Sequence, residues 1–189
     1  MNTTVSEMTS PQLHIRLIAV QSIDGFITRH DAPGASSFAS EHDQRRFREL
    51  LAESDCSVFG AATFRAEEAA INASLSPSRL KVVMTRSPEV FAAKIRPGLM
   101  EFSDESPSAL ALRLAASGHR RCSLLGGGQI YAAFLAAGLV DEICLTVEPW
   151  VFGGGAKLAV SACDARFSLV EVERLGPDTV FLRYAAFAG

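Results

Sequence analysis

A chain of 189 residues with 48% hydrophobic and 21% charged side chains is long enough to bury one sizeable core and asks for no second domain. Its formal net charge of −3, with no basic block, argues against a nucleic-acid footprint or a membrane-surface patch, and no apolar run reaches the length of a membrane span. The four cysteines, Cys56, Cys122, Cys144 and Cys163, have neither CxxC nor Cys/His ligand spacing, so buried free thiols are expected and a metal centre or disulfides are not.

In chain order, residues 1–12 read as a flexible polar tail with no apolar signal-peptide core, which points to a cytoplasmic protein whose folded domain covers 13–189. Residues 13–20 (LHIRLIAV) begin as an alternation and end apolar, as a strand entering a core does. Residues 21–25 turn, 26–28 continue the strand briefly, and 29–37, with Pro33 and Gly34, form a loop. Ser40 opens an S-x-x-D pattern with Asp43, and Phe47, Leu50 and Leu51 supply an apolar face, which predicts a helix over 41–53. The strand 56–59 runs into Gly60, and a helix with Thr63 and Arg65 near its start extends to about residue 70. After a loop carrying Pro77, residues 80–84 (LKVVM) form a compact strand that ends in the polar turn Thr85-Arg86-Ser87. Residues 99–102 form a short strand, and Ser106-Pro107 starts a helix that Gly118 ends.

The chain is organised around its glycine run. A short apolar stretch, 122–125, meets Gly126-Gly127-Gly128 and then a helical segment over 129–137 that Gly138 closes. Glycines in a strand-to-helix turn let a backbone approach a ligand closely, and the free amides of the helix's first turn favour an anion such as a phosphate. A packing role for the same glycines is the competing reading. Glu142–Glu148 alternates as a strand, Pro149 and residues 153–155 interrupt it, and strands over 167–173 and 179–185 flank the Gly176-Pro177-Asp178 turn as an antiparallel hairpin.

Strand and helix alternate for most of the chain and an antiparallel pair ends it. This predicts a three-layer α/β/α fold with a mostly parallel central sheet and ligands at the carboxyl ends of its strands. Three strand ends stand out: Gly60-x-x-Thr63-x-Arg65, Thr85-Arg86-Ser87, and the three glycines. Together they could hold the phosphates of a dinucleotide, with Arg65 and Arg86 supplying charge-assisted hydrogen bonds, although either arginine alone also reads as a solvated surface residue.

These residues carry a family resemblance. AVQSIDGFI (19–27), FGAATFRAE (59–67), VVMTRS (82–87), LLGGGQIYAAFLAAGLVDEICLTVEP (124–149) and FGGGAKL (152–158) resemble the dihydrofolate reductase superfamily, and more narrowly the reductase half of the bifunctional riboflavin-biosynthesis protein RibD. The resemblance covers nearly the whole chain after residue 13 and implies a homodimeric, NADPH-dependent reductase of a small heterocycle, similar to 5-amino-6-(5-phosphoribosylamino)uracil reductase. It makes residues 126–130, that is Gly126, Gly127, Gly128, Gln129 and Ile130, the turn facing the pyrophosphate and nicotinamide, with a cis bond between Gly126 and Gly127. Thr63, beside Gly60, would approach the pyrophosphate, Thr85, Arg86 and Ser87 would hold the adenosine 2′-phosphate, and Val20 and Ile27 would meet the nicotinamide carboxamide through their backbone.

Hydride transfer asks a protein to stack two rings, exclude water and manage one proton. Asp43 shares the inward helix face with Phe47 and matches, with a one-residue adjustment, the acid of dihydrofolate reductases; its rival role is a capping box with Ser40. Thr146 matches a substrate-side threonine of the family, against a plain strand-propensity choice. The chain departs from the family in lacking the H-x-E and P-C-x-x-C deaminase signatures and in having Ala61-Ala62 where the riboflavin reductases usually show glycine. A dihydrofolate or pteridine reductase and a non-catalytic nucleotide-binding module stand as the alternatives.

Overall fold

The structure, a computed structural model, describes residues 12–30, 34 and 37–187; residues 1–11 of the expected tail and part of the loop over 29–37 lie outside the described residues. The strands are β1 (His14–Ser22), β2 (Cys56–Gly60), β3 (Leu80–Met84), β4 (Met100–Ser103), β5 (Arg121–Leu124), β6 (Glu142–Glu148), β7 (Phe167–Arg174) and β8 (Val180–Ala186). The helices are α1 (Glu41–Ala52), α2 (Ala61–Ala66), α3 (Glu68–Ala73), α4 (Pro107–Ala116) and α5 (Gly128–Ala136), with a 3-10 helix over Pro88–Lys94.

Apolar side chains on both faces of β1 make it a central strand: Ile15, Leu17 and Ala19 enter one core, and Ile18 enters another across the sheet. It lies between β5 and β6 in a single sheet of order β4-β3-β2-β5-β1-β6-β8-β7. Every pair from β4 to β6 is parallel, and β8 and β7 close the sheet antiparallel, as the alternating pattern and the Gly-Pro-Asp turn predict.

Leu110 and Leu114 of α4 and Tyr131 and Phe134 of α5 pack on the Leu17 face. Leu50 of α1 packs with Ile18, Cys144 and Phe181 on the other face, and Phe64 of α2 joins Phe59 and Val83 there. The three layers are therefore those expected. The α4 start is as read: Pro107 stands in the first turn and the Ser106 hydroxyl accepts from the Ala109 amide at 3.3 Å.

One local expectation needs correction, and one element has no counterpart in the sequence reading. The helix expected through residue 70 is two short ones, broken at Glu67 (φ −121°, ψ 22°). The segment after Ser87 is a 3-10 helix, whose three-residue period presents no apolar stripe of the usual spacing. Among the described residues no helix is long and apolar enough to cross a membrane.

Candidate active site

Parallel strands put their carboxyl ends on one edge. Gly60 ends β2, Thr85-Arg86-Ser87 comes after β3 and the glycine turn after β5, while Val20 near the end of β1 stands in register with Thr146 of β6. The sheet opens at this edge. The ladder between β1 and β5 ends at Leu17 and Leu124, beyond which the buried Tyr131 hydroxyl donates to the Ile18 carbonyl at 2.6 Å. On its other side β5 stays joined to β2, because the Leu125 amide donates to Val58 and the Gly60 amide to Gly126, each at 2.8 Å. Strands that part at their carboxyl ends form the binding crevice of such sheets.

The peptide between Gly126 and Gly127 is cis, and Gly126 has a φ of 105°, in the left-handed region. Gly127 is the N-cap of α5 and offers no side-chain cap, so the first amides of this helix are left for another acceptor. Thr63 Oγ1 stands 3.5 Å from where a Cβ on Gly127 would be, which sets a hydroxyl beside the turn. Gly60 has a packing reason of its own: a Cβ there would come within 2.9 Å of Ile130 Cγ1. Gly128 lies under a later loop, and Gln129 is exposed. Ile27 is buried, and its amide donates to the Ala156 carbonyl at 2.8 Å. Asp24 fixes that neighbourhood, its carboxylate accepting from Ser22 Oγ at 2.6 Å and from the Gly153 amide at 2.7 Å.

Toward the other end of the edge, Thr85 Oγ1 accepts from the Ser87 amide at 3.3 Å, so the polar turn is folded on itself. Arg86 is exposed on it. Arg65, in the last turn of α2, lies 5.2 Å from the centroid of the Phe91 ring in a cation–π contact, on the side of the 3-10 helix that begins after Ser87.

Asp43 is buried at 8% exposure in the first turn of α1 and hydrogen-bonds Thr146, itself 3% exposed. Burial pushes its carboxyl up to about 6, the Thr146 hydrogen bond opposes this, and the nearby Glu148 charge adds to it. The capping box forms by half. Ser40 Oγ accepts from the Asp43 amide at 3.2 Å, but the reciprocal bond to the Ser40 amide comes from Glu148 Oε1 at 2.8 Å and not from Asp43. The Asp43 carboxyl is thereby left to face Thr146. Glu148, 2% exposed, lies within the family-like stretch 124–149 with no role of its own read there; its signal is its place two residues beyond Thr146 on a strand that alternates, which puts both on one face.

At the amino-terminal end of the sheet, Asp55, Cys56 and His119 lie close together, an approach that sequence spacing did not show. The Asp55 carboxylate there accepts from the Arg120 amide at 2.8 Å and the Arg121 amide at 3.2 Å, a bracing of the α4 to β5 connection. A cavity of about 250 Å³ between Leu135, Val140, Arg166 and Phe167 also lies away from the crevice.

Known proteins share this architecture. Residues 13–181 match the model of the RibD C-terminal domain. The chain is 26% identical over 174 residues, 75% of this chain and 80% of the relative, to the 2,5-diamino-6-ribosylamino-4(3H)-pyrimidinone 5′-phosphate reductase of Methanothermobacter thermautotrophicus. Among solved structures it resembles a pyrimidine reductase-like protein of Corynebacterium diphtheriae, with a TM-score of 0.69 and 18% identity over 94% of this chain and 93% of that one. It also resembles the diaminohydroxyphosphoribosylaminopyrimidine deaminase/5-amino-6-(5-phosphoribosylamino)uracil reductase of Thermotoga maritima, with a TM-score of 0.72 and 16% identity over 93% of this chain and 57% of that one.

Proposed function

The chain belongs to the RibD C-terminal domain family, and from that membership we propose that it is an NADPH-dependent reductase delivering a hydride to a pyrimidine-type heterocycle of the ribosylamino-pyrimidinone phosphate kind. The observation that carries the reading is the buried Asp43, hydrogen-bonded to Thr146, on a sheet edge that also bears an uncapped glycine turn. An anion-accepting turn and a carboxyl that titrates near neutrality are the two parts such a reaction asks of a protein.

The donor set fits a phosphorylated nicotinamide cofactor. The uncapped amides at the start of α5 and the Thr63 hydroxyl supply neutral donors for a pyrophosphate, and the exposed Arg86 with Thr85 and Ser87 supplies a cation and hydroxyls for a further phosphate. When bound, the cofactor supplies the hydride. The chain's own residues would do the rest: Val20, in register with Thr146, and Ile27 would meet the nicotinamide carboxamide through their backbone, Thr146 would orient the Asp43 carboxyl, and Asp43 would hold or give the accompanying proton. Consumption of NADPH with the ribosylamino-pyrimidinone phosphate tests the reading, which fails if the protein has no affinity for NADPH.

Arg86→Ala should raise the KM for NADPH about tenfold, from loss of one charge-assisted contact, and leave the KM for NADH unchanged. Equal effects on both cofactors would remove Arg86 from the 2′-phosphate site. A homodimer belongs to the same reading, and the edge strand β7 supports it by exposing Leu169, Val170 and Val172 at 55%, 51% and 62%. Sedimentation equilibrium is expected to return twice the chain mass, and a monomer at assay concentration would refute it.

A further inference from the structure

Resting on the reading of Asp43 as the proton-handling acid, we propose that Glu148 is its positioning residue, tying the first turn of α1 to β6 and setting a second carboxylate beside the reacting one. The geometry is a closed set of bonds. Glu148 Oε1 accepts from the Ser40 amide at 2.8 Å and Oε2 from Thr179 Oγ1 at 2.9 Å. Ser40 Oγ lies 3.5 Å from Thr179 Oγ1 and accepts from the Asp43 amide at 3.2 Å. Accepting on both oxygens is the pattern of an ionised carboxylate, and a negative charge at a helix N-terminus is favoured by the dipole.

Thr146 and Glu148 thus approach α1 from one face of β6, the first at the Asp43 side chain and the second at the backbone three residues earlier. Arg46 of α1 and Asp24 beyond β1 have partners of their own. On α1, Arg46 lies over the Phe181 ring of β8 and pairs with Glu49 and with Glu173 of β7, and His42 packs against Gly176. Beyond β1, Asp24 is held by Ser22 and by the amides of Phe152 and Gly153. Glu148 is the charge that bears on Asp43, and its repulsion favours the protonated acid near neutral pH.

The test separates charge from geometry. Glu148→Gln keeps an acceptor for the Ser40 amide and removes the charge; Glu148→Asp keeps the charge and withdraws it by one methylene. Titration of Asp43 by carboxyl 13C NMR needs no substrate. The midpoint is expected to fall below about 6 in Glu148→Gln, with burial still holding it above the ordinary carboxylate range, and to lie between wild type and Glu148→Gln in Glu148→Asp. The alkaline limb of the kcat profile should move down with it while KM for the heterocycle holds. A wild-type midpoint in both variants overturns the proposal. A wild-type protein that consumes no NADPH with any heterocycle would count against the reductase reading instead, and the NMR arm would still decide the role of Glu148.

Discussion

Replacing Asp43 with asparagine is expected to cost activity and gain stability, and both effects carry a pH signature. Loss of a positioned proton donor typically costs about 10²–10⁴-fold in rate, and kcat should fall by that much while NADPH affinity holds. Stability depends on the sign of the shift. The carboxyl titrates at about 6 in the fold against an ordinary value of 3.8, so its contribution is intact below the unfolded value and is lost as pH rises through the folded one. Above that window the native state carries a buried charge that costs it more than the same charge costs the solvated, unfolded chain. The gap of about two units caps the penalty at roughly 3 kcal/mol, and Asp→Asn removes it. The variant should therefore resist urea better than wild type at about pH 8, and should match wild type at about pH 3, where both side chains are neutral. Wild-type kcat in the variant, or the same stability difference at both pH values, would contradict the assignment.

What the sequence made legible is what short-range rules govern. The Ser40 cap, the Pro107 start of α4 and the strand, glycine turn and helix around Gly126 depend on residues within a few positions of one another, and they stand where the pattern puts them. Asp43 was readable because Phe47, four residues on, marks the inward face. Glu148 was not, since its partner Ser40 is 108 residues away and a carboxylate at a strand end usually reads as solvated. Gly60 shows the converse. Its position before a helix suggested a phosphate, whereas the Ile130 side chain already occupies the space a Cβ would need, so the residue is required for packing whether or not a ligand approaches. The 3-10 helix and the break at Glu67 escaped because neither has an apolar period to read.

Gly128→Ala sets two magnitudes against each other. Gly128 is the first residue of α5, and alanine in a helix is favoured over glycine by up to about 1 kcal/mol, so propensity alone predicts a more stable protein. Space predicts the opposite. A Cβ at this position would stand 2.4 Å from the Lys157 carbonyl oxygen and 2.9 Å from Val160 Cγ1, and the first of these is backbone and cannot rotate away. The loop that carries Lys157 is pinned as well: the Ile27 amide donates to Ala156, the Ala156 amide donates to Thr28 Oγ1, and Phe26 bridges to Lys157. Relief of the clash must therefore move either the glycine turn or the strand extension that holds Ile27, and both border the crevice. Overpacking of this kind costs about 1–3 kcal/mol and exceeds the propensity gain. The variant should unfold at lower urea and bind NADPH at least about tenfold more weakly. A Gly128→Ala protein more stable than wild type would show that the loop does not hold the turn in place.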